Sequence, residues 1–201
     1  MPAPHPDVIA WIDVETTGLD PLQEALLEIS LILTDNELNP VADPVSVLID
    51  PSVEDAHPDY KVGSDIARTV SDFIRDMHTS NGLFADLDAG LGVAPDEADG
   101  LIADAIDAAA GEGGKPLLAG NSITLDRNFL EAQAPKTYGA LHYRSIDVTS
   151  IENDLARDGF AEPIAAWHAA RPKKSHRGAD DIRDSIDQLR ALRRIRRGEA
   201  A

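Results

Sequence analysis

The first fifty residues carry short apolar runs of strand length. Val8-Ile9-Ala10-Trp11-Ile12 is one such run and reads as a buried strand. Asp13-Val14-Glu15 continues it, and Thr16-Thr17-Gly18-Leu19-Asp20-Pro21 has the chemistry of a turn. Leu26–Thr34, rich in Leu and Ile, reads as a second strand and residues 45–49 as a third, joined by the turn formers of residues 35–40. After Pro58 the period changes. Ile66, Val70, Phe73, Ile74 and Met77 have helical spacing, and Ser64 or Asp65 suits the cap of one helix carrying them all. Residues 85–100, rich in Ala, Asp and Gly, read as a loop, and residues 101–110 as a helix stopped by Gly111-Glu112-Gly113-Gly114. A short strand (116–119), a turn at Gly120-Asn121-Ser122, a helix (Thr124–Gln133), a strand (144–148) and a helix (149–157) follow. The last helix is the clearest. Ile182, Ile186, Leu189, Leu192 and Ile195 form an apolar stripe near period 3.6, and Arg190, Arg193, Arg194, Arg196 and Arg197 occupy the other face. Strands followed by alternating helices and strands predict a single α/β domain over residues 1–201 with a mixed sheet, its core spanning about 8–195 between short flexible tails.

Composition narrows the chemistry. The 201 residues include no Cys, which excludes disulfides and thiolate metal sites and leaves oxygen or imidazole as metal ligands. No basic-then-apolar leader opens the chain and no apolar run reaches bilayer length, so a soluble, cytoplasmic protein without membrane contact is expected. The net charge of −18 argues against tracking long nucleic acids by counterion release. Its distribution is uneven: residues 171–201 hold 10 of the 18 Lys and Arg and only 5 of the 36 Asp and Glu. Short strands, held by a few contacts and metal ions, remain compatible with that charge.

Candidate reactive groups are acidic. Asp13 and Glu15 stand two apart at a strand end, so their side chains share a face roughly 6–7 Å apart along the strand. Carboxylates that close repel unless a cation lies between them. Asp126 falls in the first turn of a helix, where an Asp also serves simply to complement the dipole. His176 and Asp181 bracket the start of the last helix; Asp181 borders the buried stripe, whereas Asp180 suits a cap. Four hard carboxylates suit Mg²⁺ or Mn²⁺, and a pair of such ions with an imidazole base forms a set able to hydrolyse phosphodiesters.

The order of these motifs resembles a known family. Asp13-Val14-Glu15-Thr16-Thr17-Gly18, then Asp126, then His176 with Asp181 five later, resembles the histidine-containing DEDD 3′→5′ exonucleases. Met77-His78-Thr79-Ser80-Asn81-Gly82-Leu83, the segment 120–130, His142-Tyr143-Arg144-Ser145-Ile146-Asp147-Val148 and the segment 175–186 resemble oligoribonuclease in particular. The resemblance implies a ribonuclease H-like, DnaQ-like sheet flanked by helices. It implies a homodimer that hydrolyses short single-stranded RNA, chiefly dinucleotides, to nucleoside 5′-monophosphates with two divalent cations. Asp13, Glu15, Asp126 and Asp181 match the metal ligands and His176 the general base. Leu19 matches a wedge between bases, and Phe73 stands where a stacking ring is usual. Ser122, Arg144 and Thr149 match a cap on the 5′ phosphate end, with Tyr143 and His78 beside it and part of the cap supplied by the partner subunit. Thr16-Thr17-Gly18 is closer to the proofreading exonucleases, which keeps longer DNA or RNA ends as the alternative substrate.

Overall fold

A computed structural model describes residues 7–52, 63–111, 113–171 and 177–199, without the side chains of 63–65. Five strands form one mixed sheet: β1 (Ile9–Thr16), β2 (Leu26–Thr34), β3 (Val45–Leu48), β4 (Leu117–Gly120) and β5 (His142–Asp147). Their order is β3-β2-β1-β4-β5. The hairpin-connected strands β1, β2 and β3 pair antiparallel, and β4 and β5 join parallel to β1 and to each other. Strand β1 is therefore central, with every residue but Asp13 buried.

The period of two along β1 divides the core. Ala10, Ile12 and Val14 face a cluster with Ile29, Leu31, Leu33, Leu118 and Phe129, covered by helices α4 (Pro95–Ala110), α5 (Thr124–Gln133) and α6 (Pro135–Ala140). Ile9 and Trp11 face the opposite cluster, where Ile182, Ile186, Leu189, Leu192 and Ile195 of α9 (Gly178–Arg196) pack. The predicted stripe of the last helix is thus its buried face. Two arginines of the other face staple it down: Arg193 donates to the Asn36 carbonyl at 2.8 Å and Arg190 donates to that of Leu38, in the β2–β3 turn.

Several elements differ from expectation. The single helix expected after Pro58 is two, α1 (Gly63–Thr69) and α2 (Asp72–Ser80), because the Ser71 hydroxyl accepts from the Ile74 amide and starts a new helix. The expected loop over 85–100 holds the last four residues of α3 (Leu83–Asp88) and the first turns of α4, which begins at Pro95, a residue pre-set for helix entry. Helix α6 starts where Asp99 of α4 accepts the Lys136 and Thr137 amides at 2.9 and 2.7 Å, a cap from 36 residues or more away. Helix α7 (Val148–Leu155) passes through a wider π turn at Ala156–Phe160 into α8 (Ala161–Ala169). Asp180 is not the cap of α9, which starts after Arg177; it sits in the first turn and pairs with Arg183 at 2.8 Å. No helix among the described residues is long and apolar enough to cross a membrane.

Candidate active site

The face of β1 that carries Ile9 and Trp11 turns acidic at its end. Asp13 and Glu15 are next on that face, opposite Ser30 and Glu28 of β2. Helix α9 covers this face, and its first turn brings in Asp181. Asp13, Glu15 and Asp181 each place one carboxylate oxygen within 4.8 Å of the others. That spacing fits a single divalent cation held by hard oxygen donors. Gly178 permits the approach: a Cβ there would lie 2.5 Å from Ser30 Oγ, 2.8 Å from Ser30 Cβ and 3.4 Å from Asp13 Oδ2.

Asp126 arrives from the other side of the strand. Pairing of β1 with β4 ends at Trp11, and the Val14 amide donates instead to Asp126 Oδ1 at 3.0 Å. Asp126 is buried beside Val14, and its charge reaches Glu15, but it lies outside the three-acid group. Three of the four expected acids therefore share one cluster, and the fourth adjoins it through backbone.

The electrostatics match a site built for cations. Burial pushes the Glu15 carboxyl up to about 8, and the charges of Glu28 and Asp181 add to the rise. Burial carries Asp126 up to about 6 against the opposing Val14 hydrogen bond. Both groups hold protons more tightly folded than unfolded. Their contribution to stability is then greatest below the ordinary carboxylate range and declines as pH rises toward 8. The metal-free melting temperature is expected to fall between pH 5 and pH 8. Mn²⁺ or Mg²⁺ should offset that fall, with a thermal gain that grows over the same interval. Binding near pH 7 should release about one proton, chiefly from Glu15. Calorimetric titration in buffers of different ionisation enthalpy measures it, and zero proton release would contradict cation-for-proton exchange at Glu15.

A cavity of about 530 Å³ opens at Glu15. Leu19 and Phe73 stand on its wall, 79% and 75% exposed. Neither is a core residue, although an apolar side chain in either pattern reads equally well as core. The Thr16-Thr17-Gly18 turn presents Leu19: the Thr17 hydroxyl donates to Glu24 at 2.6 Å and accepts the Ala25 amide, and a Cβ at Gly18 would strike the Glu24 side chain.

Ser122 and Thr149, two of the residues expected to cap a phosphate, lie side by side. Ser122, at φ 54°, donates its amide to Asp147 Oδ1 at 3.0 Å, and its hydroxyl lies 3.2 Å from that of Thr149. Thr149 donates its hydroxyl to Asn121, whose amide nitrogen donates to Ser185 and Gln188 of α9. Arg144 and Tyr143 are exposed on β5, with the guanidinium 5.3 Å from the Tyr143 ring centre. His78 departs from expectation. Its ring is fully buried, edge-on to Phe84, and Nε2 donates to the Thr16 carbonyl at 3.0 Å. Its Nδ1 lies 3.8 Å from a Glu15 oxygen without a hydrogen bond, so the ring stands behind Glu15 and does not line an exposed cap. His176 lies outside the described residues.

Two charged residues escape sequence inspection. Glu28 sits in the middle of an apolar strand yet is a buried carboxylate facing Glu15. Arg177 reaches from the start of α9 to Asp86 on α3 at 2.8 Å. The only local signal for Glu28 is that it interrupts Leu26-Leu27 and Ile29 where period two calls for an inward residue. Arg177 has none, since its partner is 91 residues away.

Comparison with known proteins agrees with this geometry. A family model described as Exonuclease, of the RNase T type, matches residues 10–189. The chain is 38% identical over 188 residues to an oligoribonuclease of Cutibacterium acnes, covering 94% of this chain and 85% of that protein. An oligoribonuclease of Streptomyces coelicolor is 37% identical over 93% of this chain and 86% of its own length. Among solved structures, exonuclease I of Methylocaldum szegediense superposes with a TM-score of 0.64 at 20% identity, and an E. coli exonuclease I complex with single-stranded DNA with 0.66 at 13%. Each covers 96% of this chain, which spans 41% of either structure, and the likeness establishes the expected ribonuclease H-like, DnaQ-like exonuclease fold. With the family model and relatives above 30% identity both spanning nearly the whole domain, the chain belongs to the oligoribonuclease family of exonucleases.

Proposed function

We propose that the protein is a 3′→5′ exoribonuclease that hydrolyses short single-stranded RNA and dinucleotides to nucleoside 5′-monophosphates, using Mg²⁺ or Mn²⁺. The observation that carries this reading is the meeting of a three-carboxylate cluster with a cavity whose wall exposes Leu19 and Phe73. Carboxylate oxygens are the donors such ions prefer, and the raised Glu15 carboxyl gives up its proton when a cation arrives. Asp13, Glu15 and Asp181 would hold one ion, and Asp126 would help to hold a second. Bound there, the cations supply Lewis acidity that stabilises charge on the attacking and leaving oxygens.

The remaining roles belong to the chain. Leu19 separates the last two bases, and Phe73 stacks on one of them. Ser122, Thr149 and Arg144 take the 5′ phosphate end: the Ser122 hydroxyl donates, the Thr149 hydroxyl does so once it turns from Asn121, and a guanidinium forms charge-assisted bonds to phosphate oxygens. Tyr143, exposed on the last strand of the sheet, serves the cap of a partner subunit in a homodimer. His176 takes the proton of the attacking water, a role to which the imidazole side chain is suited. A closed cap suits a cytoplasmic protein of charge −18, because a few directed contacts replace a long basic groove.

Incubating the protein with 5′-labelled RNAs of two to twenty nucleotides and Mn²⁺ tests this reading. The dinucleotide is expected to be cleaved fastest. Equal rates for the 20-mer would favour an exonuclease acting on longer ends, and no metal-dependent cleavage of either would sink both. Phe73→Ala should raise KM for the dinucleotide by roughly 5- to 150-fold, the loss of about 1–3 kcal/mol of stacking, with a smaller change in kcat. An unchanged KM would remove Phe73 from the substrate pocket.

A further inference from the structure

Glu28, Asp86 and Arg177 have no part in the reaction as described, yet they touch the ground it stands on. We propose that Arg177 is a positioning residue for the carboxylate centre: clamped by Asp86 and set against Glu28, it fixes the first turn of α9 and thereby where Asp181 meets Asp13 and Glu15. The inference rests on the metal-centre reading above and goes beyond it.

Three observations converge. The backbone carbonyl of Arg177 accepts the amides of Asp180 and Asp181 at 2.9 and 3.0 Å, so any displacement of Arg177 moves Asp181 directly. The Arg177 side chain donates from Nη2 to Asp86 Oδ2 at 2.8 Å, tying the start of α9 to α3. Its Nη1 is buried without a hydrogen-bond partner, as is Oε2 of Glu28, and Arg177 is the strongest charge acting on Glu28. The guanidinium thus faces carboxylates on two strands and a helix, with Glu15 also in its field. An exposed ion pair ordinarily contributes little. This pair is half-buried, and one of its members is also the residue whose carbonyl holds Asp181.

Positioning and simple charge neutralisation predict opposite signs. If Arg177 only offset surplus negative charge, removing it would tighten cation binding. If it positions Asp181, removing it loosens cation binding and slows turnover, as loss of groups that orient metal ligands does.

The test uses the full chain with Arg177→Met, Arg177→Lys, Asp86→Asn and the double variant Arg177→Met/Asp86→Asn. Calorimetric Mn²⁺ binding without RNA, and kcat and KM for a labelled dinucleotide, are the readouts. Arg177→Met is expected to weaken Mn²⁺ binding about 10- to 100-fold and to lower kcat with KM within about threefold. Arg177→Lys should recover part of both. Asp86→Asn, at a surface site on α3, should shift both in the same direction by less, and the double variant should be no worse than Arg177→Met. Tighter or unchanged Mn²⁺ binding in Arg177→Met overturns the proposal; should that variant fail to fold, wild-type binding and kcat in Asp86→Asn overturn it instead. Asp181→Asn separates the two levels. If it binds Mn²⁺ as well as the wild type, the metal-centre reading fails and the proposal with it. If it loses Mn²⁺ while both Arg177→Met and Asp86→Asn keep it, only the role of Arg177 fails.

Discussion

Replacing Asp181 by Asn is expected to lower cleavage of a short RNA by about a thousandfold or more while the chain stays folded. Asp181 is one of three acids with oxygens within 4.8 Å, and neutralising it removes a donor and a unit of charge from the cation site. A metal ion contributes several kcal/mol of charge stabilisation in such reactions, and about 4 kcal/mol corresponds to a thousandfold in rate. Stability should move the other way. The Asp181 charge helps to drive Glu15 up to about 8, so its removal relieves repulsion in the metal-free protein. The metal-free melting temperature should therefore hold or rise, by about 2–4 °C for each kcal/mol relieved in a chain of this size. Asp180→Asn is the control: Asp180 is on the surface with Arg183, and its loss should leave kcat within about twofold. Wild-type turnover in Asp181→Asn, or a larger loss in Asp180→Asn, would reverse the choice between these neighbours.

The second large effect comes from a glycine. Gly178→Ala should cost about 1–3 kcal/mol in stability through overpacking, less a fraction returned by the better helix propensity of Ala, and about a hundredfold in kcat. The added Cβ would stand 2.8 Å from Ser30 Cβ, which no rotamer change relieves, so the first turn of α9 must retreat from β2 and carry Asp181 with it. Ser30→Gly removes the obstructing atoms and should restore much of the activity in the double variant. An active Gly178→Ala, or no recovery in the double variant, would show that the close approach does not set the site.

The two signals that served best in the sequence were strand-length apolar runs and a long stripe of period 3.6. The bounds of β2 follow from the first, and the buried face of α9 from the second. Asp13 and Glu15 were legible because they end an apolar strand two apart, and Asp181 because it borders the stripe. What was not legible depends on partners remote in the chain. The break at Ser71 was hidden because Ile66, Val70 and Ile74 keep helical spacing across it. Residues 85–88 and 95–100 read as loop because Ala, Asp and Gly are poor markers of a face, although Ala98 and Asp99 are buried there. Helix α6 depends on Asp99, and the surroundings of Glu15 depend on Glu28 and on Arg177 from far along the chain. His78 matched a motif, but a motif does not say which side of Glu15 its ring occupies.

The central strand of this sheet precedes the other elements along the chain, and the helix that covers its acidic end follows them. Asp13 and Glu15 face Asp181 from opposite ends of a 201-residue chain, with Asp126 between. Such long-range pairing is slow to close, because the intervening chain must be ordered first. A nascent or truncated chain of 170 residues holds three of the four acids and none of α9. It also leaves Ile9, Trp11 and Ile32 without the helix that buries them. Such a chain would leave the proposed cation site short of one acid and one face of the sheet bare, so the acidic cluster and the second half of the core are completed in the same step.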